Sequence, residues 1–113
     1  PLWWLGMPAV MKGFFDRAFL PGITFKSDKE GITEGLLQGR TGRIITTAGD
    51  LSLDIYEEIY ASSGLIQLKK GILEYCGISS IQDSFIGPLY ELDENDRKKW
   101  IVQVEDFATF DAI

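Results

Sequence analysis

Three apolar runs, each closed by glycine or proline and each followed by residues at helical spacing, constrain this chain more than any other feature. The first is Pro1-Leu2-Trp3-Trp4, too short to be a whole strand, punctuated by Gly6 and Pro8. From Ala9 the apolar residues Val10, Met11, Phe14, Phe15, Ala18 and Phe19 recur with a helical period. Pro21-Gly22 ends that pattern, Lys12, Asp16 and Arg17 give it a wet face, and Pro8 suits a helix start, where a missing N–H costs nothing. The second run, Arg43 to Ala48, is β-branched and stops at Gly49-Asp50. A helical pattern over residues 51–77 follows, divided at Ser62-Ser63-Gly64, with Leu65, Leu68, Ile72 and Tyr75 on one face and Gly77 as terminator. The third run, Ile78 to Ile86, stops at Gly87-Pro88. Asp93 then caps a helix with Trp100, Ile101, Val104, Phe107 and Phe110 along one stripe.

The order strand end, helix, strand, helix, strand, helix predicts an α/β fold with a parallel sheet covered on both faces. Residues 23–41, with Gly31, Gly35 and Gly39 among polar side chains, are expected to form a long surface excursion.

Charge and composition exclude several function classes. A net charge of −6 disfavours nucleic acid, whose phosphates need a basic surface, and the basic runs are only Lys69-Lys70 and Arg97-Lys98-Lys99. With no histidine the chain lacks the commonest general base and the usual zinc ligand, so no metal site is expected. The single Cys76 excludes an internal disulfide and reads as a small buried hydrophobe. No apolar run has the length of a membrane span and no signal segment is visible, which makes a reducing cytoplasm the default expectation.

The series of proline, aromatic pair, glycine, proline and lysine-glycine in residues 1–13 resembles the flavodoxin-like NAD(P)H:quinone oxidoreductase family. Thr46-Thr47-Ala48-Gly49 resembles that family's Thr-Thr-Gly-Gly turn, and Gly71 to Gly77 its helix end before the fifth strand. The resemblance implies a flavodoxin-like three-layer fold with strand order 2-1-3-4-5, in which residues 1–113 are the C-terminal portion of one domain, from the end of strand 3 through helix 5. The opening of the chain in mid-strand leads to the same expectation.

By that likeness Pro1, Leu2, Trp3, Trp4 and Leu5 lie against the isoalloxazine ring of FMN, with FAD as the alternative. Thr46, Thr47, Ala48 and Gly49 would meet its pyrimidine edge. NAD(P)H would be the co-substrate and a quinone or related acceptor the oxidant, in a ping-pong cycle at one shared pocket. Ala48 replaces the family's first glycine and is strained if that position needs a positive φ. Relatives carry a tyrosine and a histidine after this turn; Tyr56 is the nearest tyrosine and the candidate catalytic residue, although its spacing differs, and the histidine has no counterpart. Phe25 falls where relatives line the substrate pocket from the partner of a homodimer; an anchor holding the excursion to the core is the alternative. No residue series here resembles the phosphate loop. The competing reading is a non-catalytic flavodoxin-like binding or regulatory subunit.

Overall fold

The structure, a computed structural model, describes residues 1–112. Helix α1 (Ala9–Ala18) is followed by a short antiparallel hairpin, β1 (Phe25–Ser27) with β2 (Thr33–Gly35). Strand β3 (Thr41–Thr47), helices α2 (Leu53–Glu58) and α3 (Ser63–Ile66), strand β4 (Ser80–Ile86) and helix α4 (Glu94–Asp111) complete the order. Strands β3 and β4 pair in parallel from Thr41 opposite Ser80 to Thr47 opposite Ile86. The opening residues lie along β3, where the Leu2 N–H donates to the Thr47 carbonyl at 2.8 Å.

Alternation along the two strands sorts side chains onto two faces. Ile44 and Ile81 point to one face and cluster with Leu68 and Ile78. Met7 and Phe15 from the first segment, with Leu65, Ile72 and Leu73 from the α3 segment, pack against them. Burying each such aliphatic chain stabilises the fold by about 1.5–3 kcal/mol relative to exposure. On the other face, Arg43 meets α4: its guanidinium lies 4.3 Å from the Phe107 ring centre and pairs with the Asp111 carboxylate through two nitrogens. The Asp93 carboxylate accepts from the Asp96 N–H at 2.8 Å, which starts α4 at the expected cap.

Three local expectations are corrected. The excursion is not irregular throughout, because Phe25, Lys26 and Ser27 pair with Gly35, Glu34 and Thr33. Gly35 makes this possible by sitting against the Cys76–Gly77 backbone, where a Cβ would fall 2.3 Å from Cys76. Strand β4 begins at Ser80 rather than Ile78, because Gly77, at φ 102, turns the chain and the Ile78 N–H still donates back to the Leu73 carbonyl at 3.1 Å. The helix after Gly64 opens into a π-helical stretch over Gln67–Glu74. Its wider turn brings Leu73 onto the core beside Leu68 and Ile72, and leaves Tyr75 half-exposed against Phe25 instead. The division of the helical region holds, since Ala61 and Ser62 adopt φ 53 and 49, where an α-helix cannot continue. Among the described residues, no helix is long and apolar enough to cross a membrane.

Candidate functional site

Two bends leave the sheet at the same end. One follows Leu2 and the other follows Thr47, and the 2.8 Å bond between Leu2 N–H and Thr47 carbonyl fixes them side by side.

The first bend is a four-residue turn, Trp3 to Gly6, closed by reciprocal backbone bonds of 2.9 and 3.2 Å. Its central residues, Trp4 and Leu5, adopt φ 52 and 64. Left-handed backbone at two non-glycine residues costs on the order of 1 kcal/mol each and persists only where surrounding contacts impose it. Those contacts come from the segment after α2. The Tyr56 hydroxyl donates to the Leu5 carbonyl at 3.4 Å and accepts from the Leu65 N–H at 3.0 Å. Gly64 sits so close that a Cβ there would lie 2.2 Å from the Leu5 carbonyl oxygen. The turn therefore presents Trp4 wholly to solvent, at 102% relative exposure, with Trp3 largely exposed beside it. Among the described residues, the N–H groups of Trp4 and Leu5 have no hydrogen-bond partner.

The second bend is clasped by the turn Leu89–Glu91 after β4. Ala48 donates to Ile86 at 3.0 Å and accepts from Leu89 at 2.8 Å, and the Gly49 carbonyl accepts from Tyr90 at 3.0 Å. Ala48 is 3% exposed and is not among the residues with positive φ, so its methyl is buried without backbone strain. The strain anticipated for alanine at this position is absent. Its N–H is also already bonded, so Ala48 supports the bend and offers no donor to a bound ring. Gly49 is half-buried, with the Tyr90 ring lying 3.0 Å from where its Cβ would stand. Among the described residues, the Gly49 N–H has no partner.

Thr46 and Thr47 diverge because successive strand residues alternate. Thr46 faces a narrow apolar gap of about 60 Å³ shared with Leu2, Met7 and Leu65. That gap is far smaller than the few hundred Å³ typical of small-molecule pockets. Thr47 faces the opposite side, at the head of an apolar groove of about 340 Å³ with Ile86, Leu89, Trp100 and Val104. Among the described residues, the two bends present exposed side chains, Trp3 and Trp4 on the first and Tyr90 on the second, as an open surface.

Tyr56 is 1% exposed and stacks on Phe85 with ring centres 5.7 Å apart. A role at reacting atoms needs an accessible hydroxyl, and this one is enclosed between Leu5 and Leu65. Tyr56, the candidate catalytic residue, stands within this chain where it holds the first bend. Phe25 does not join the bends within the chain either. It meets Tyr75 edge-on at 5.2 Å and lines a separate cavity of about 390 Å³ with Phe15, Phe19, Gln67 and Cys76, which fits the anchoring alternative. Sequence reasoning missed Gly64 and Tyr90. The only sequence signals for them are a glycine closing a serine pair and an aromatic just after Gly87-Pro88.

A flat tricyclic group fits the open surface in kind, since Trp4 is an exposed aromatic and the N–H groups of Trp4, Leu5 and Gly49 have no partner among the described residues. The residues described do not form a phosphate cradle of the usual kind, since Gly35 to Gly42 lead from the hairpin into β3 rather than from a strand into a helix.

The family model described as a flavodoxin-like fold matches residues 1–106. The chain belongs to that family. It is 33% identical over 102 residues to an uncharacterized NAD(P)H oxidoreductase of Haemophilus influenzae, covering 89% of this chain and 50% of that protein. It is 36% identical over 85 residues to an FMN-dependent NADH:quinone oxidoreductase of Lachnoclostridium phytofermentans, covering 73% and 38%. Among solved structures, Smu.1420 from Streptococcus mutans superposes with a TM-score of 0.82 at 32% identity, covering all of this chain and 57% of that one. The chain spans about half or less of the length of the curated relatives it matches. The flavodoxin-like α/β expectation therefore stands.

Proposed function

We propose that the two bends form the ring-binding part of an FMN-dependent NAD(P)H oxidoreductase that reduces quinones or similar acceptors. The observation that carries this reading is the Leu2–Thr47 bond, which puts the tryptophan turn and the Thr-Thr bend at one end of the sheet. The names of the relatives, several of them quinone oxidoreductases and some FMN-dependent, support the same chemistry.

FMN, when bound, would supply the redox chemistry of hydride and two-electron transfer between NAD(P)H and the acceptor. This chain's residues then do four things. Trp4, with Trp3 beside it, offers an aromatic face and sheds water from one side of the ring. The Trp4, Leu5 and Gly49 N–H groups, without partners among the described residues, would be the donors that hold the ring's edge and favour negative charge there. Ala48 and Thr47 hold the second bend in register. Tyr56 fixes the carbonyl of Leu5 and acts through that turn as a positioning residue.

In this reading NAD(P)H and acceptor take turns at one shared site on the ring, which makes the cycle ping-pong. A homodimer in the cytoplasm completes the reading. Support for the dimer is the apolar side of α1, where Val10 and Phe14 stand exposed next to Phe15 and Phe19 of the cavity that holds Phe25. The test is NAD(P)H-dependent menadione reduction by the full protein with added FMN. Turnover with parallel double-reciprocal lines is expected; no flavin binding and no turnover contradict the reading.

A further inference from the structure

Tyr90 is the exposed aromatic most firmly tied to the second bend. Its backbone N–H donates to the Gly49 carbonyl at 3.0 Å, and its neighbour Leu89 donates to Ala48 at 2.8 Å. Arg97 reaches from α4 to the Leu89 carbonyl at 2.9 Å and braces the same turn from outside. Gly87 seats the turn further, since a Cβ there would lie 3.0 Å from the carbonyl oxygens of both Ala48 and Leu51. Yet the side chain these contacts position is 80% exposed, laying one face of its ring over Gly49 and leaving the rest open. A large aromatic held by its backbone and left open on its other face is arranged to meet something flat. Gly49 is needed for the approach, because any Cβ would strike the phenol ring at 3.0–3.1 Å.

We propose that Tyr90 is a binding residue of the ring site, walling it on the Gly49 side as Trp4 walls it on the other. The proposal rests on the oxidoreductase reading above and deepens it. The ligand class is a planar heteroaromatic ring, which the phenol can stack against.

The experiment titrates the full protein with FMN and, separately, with riboflavin, following flavin fluorescence. Riboflavin keeps the ring and lacks the phosphate, so it reports on the ring surface alone. Tyr90→Ala is expected to raise the Kd for both flavins by about tenfold, a typical loss for one stacking contact. Tyr90→Phe should keep both values within about twofold while increasing the fluorescence of the bound flavin, because the electron-rich phenol that quenches it is gone. Removing an exposed ring leaves folding intact, so the Tm of Tyr90→Ala should stay within about 2 °C of the parent. Unchanged affinity in Tyr90→Ala, with a parent that binds both flavins, overturns the assignment of Tyr90 alone. A loss confined to FMN overturns it too, since the contact would then concern the phosphate. If the parent binds neither flavin, the oxidoreductase reading itself fails and takes this one with it.

Discussion

The two ends of β3 are built on opposite principles. At its start, Arg43 is bonded to Asp111 through two nitrogens, lies over Phe107 and reaches Ser84, so charge, ring and hydroxyl all have partners. At its finish, the chain bends beside two left-handed residues, an exposed tryptophan, an exposed tyrosine and backbone donors without acceptors. The first end clamps α4 to the sheet. The second keeps strain and apolar surface that the described residues leave uncovered, and it is this end that we propose as the ring site.

Substitutions can break this contrast. The largest effect is expected for Gly64→Ala, whose new methyl would meet the Leu5 carbonyl at 2.2 Å and force the Trp3–Gly6 turn away. About 2–4 kcal/mol of stability should be lost in a denaturant titration, in the range of overpacking and backbone clashes. Tyr56→Phe comes next. It leaves the Leu65 N–H and the Leu5 carbonyl without the hydroxyl between them, for about 1–2 kcal/mol, and should loosen the turn as read by amide exchange at Trp4 and Leu5. Trp4→Gly sharpens the comparison because its two readouts move in opposite directions. Glycine relieves the left-handed strain, so stability should rise by about 0.5–1 kcal/mol while flavin affinity falls.

The smallest effect belongs to the clamped end and depends on pH. Its hydrogen bond to Arg43 holds the Asp111 carboxyl below its usual range and its partner above. A folded-state pKa below the unfolded one gives stability that is complete above about pH 4 and fades as pH falls through the folded value. Acid unfolding followed by circular dichroism should therefore lose part of its pH dependence in Asp111→Asn.

Most of the fold was legible because it rests on periodicity. The β-branched run at Arg43–Ala48, the cap at Asp93 and the break at Ser62-Ser63-Gly64 each follow from local preferences, and each lies where expected within a few residues. What was not legible depends on contacts between distant segments. The β1–β2 hairpin needs Gly35 against Cys76, some forty residues away, and the π-helical stretch that trades Tyr75 for Leu73 leaves no mark in the apolar spacing. The two bends could be named from residues 1–5 and 46–49, but their division of labour could not. Ala48 is sealed by Ile86 and Leu89, Tyr56 by Leu5 and Leu65, and the exposed partner of Gly49 comes from the turn after β4.

Tryptophan emission tests the central claim most directly. In a Trp100→Phe background, emission comes only from Trp3 and Trp4. Adding riboflavin should quench it saturably, and Trp4→Leu should abolish most of the response while circular dichroism stays unchanged. Emission that stays constant through the titration, or quenching that survives loss of Trp4, would mean that no flat redox group seats at the tryptophan turn.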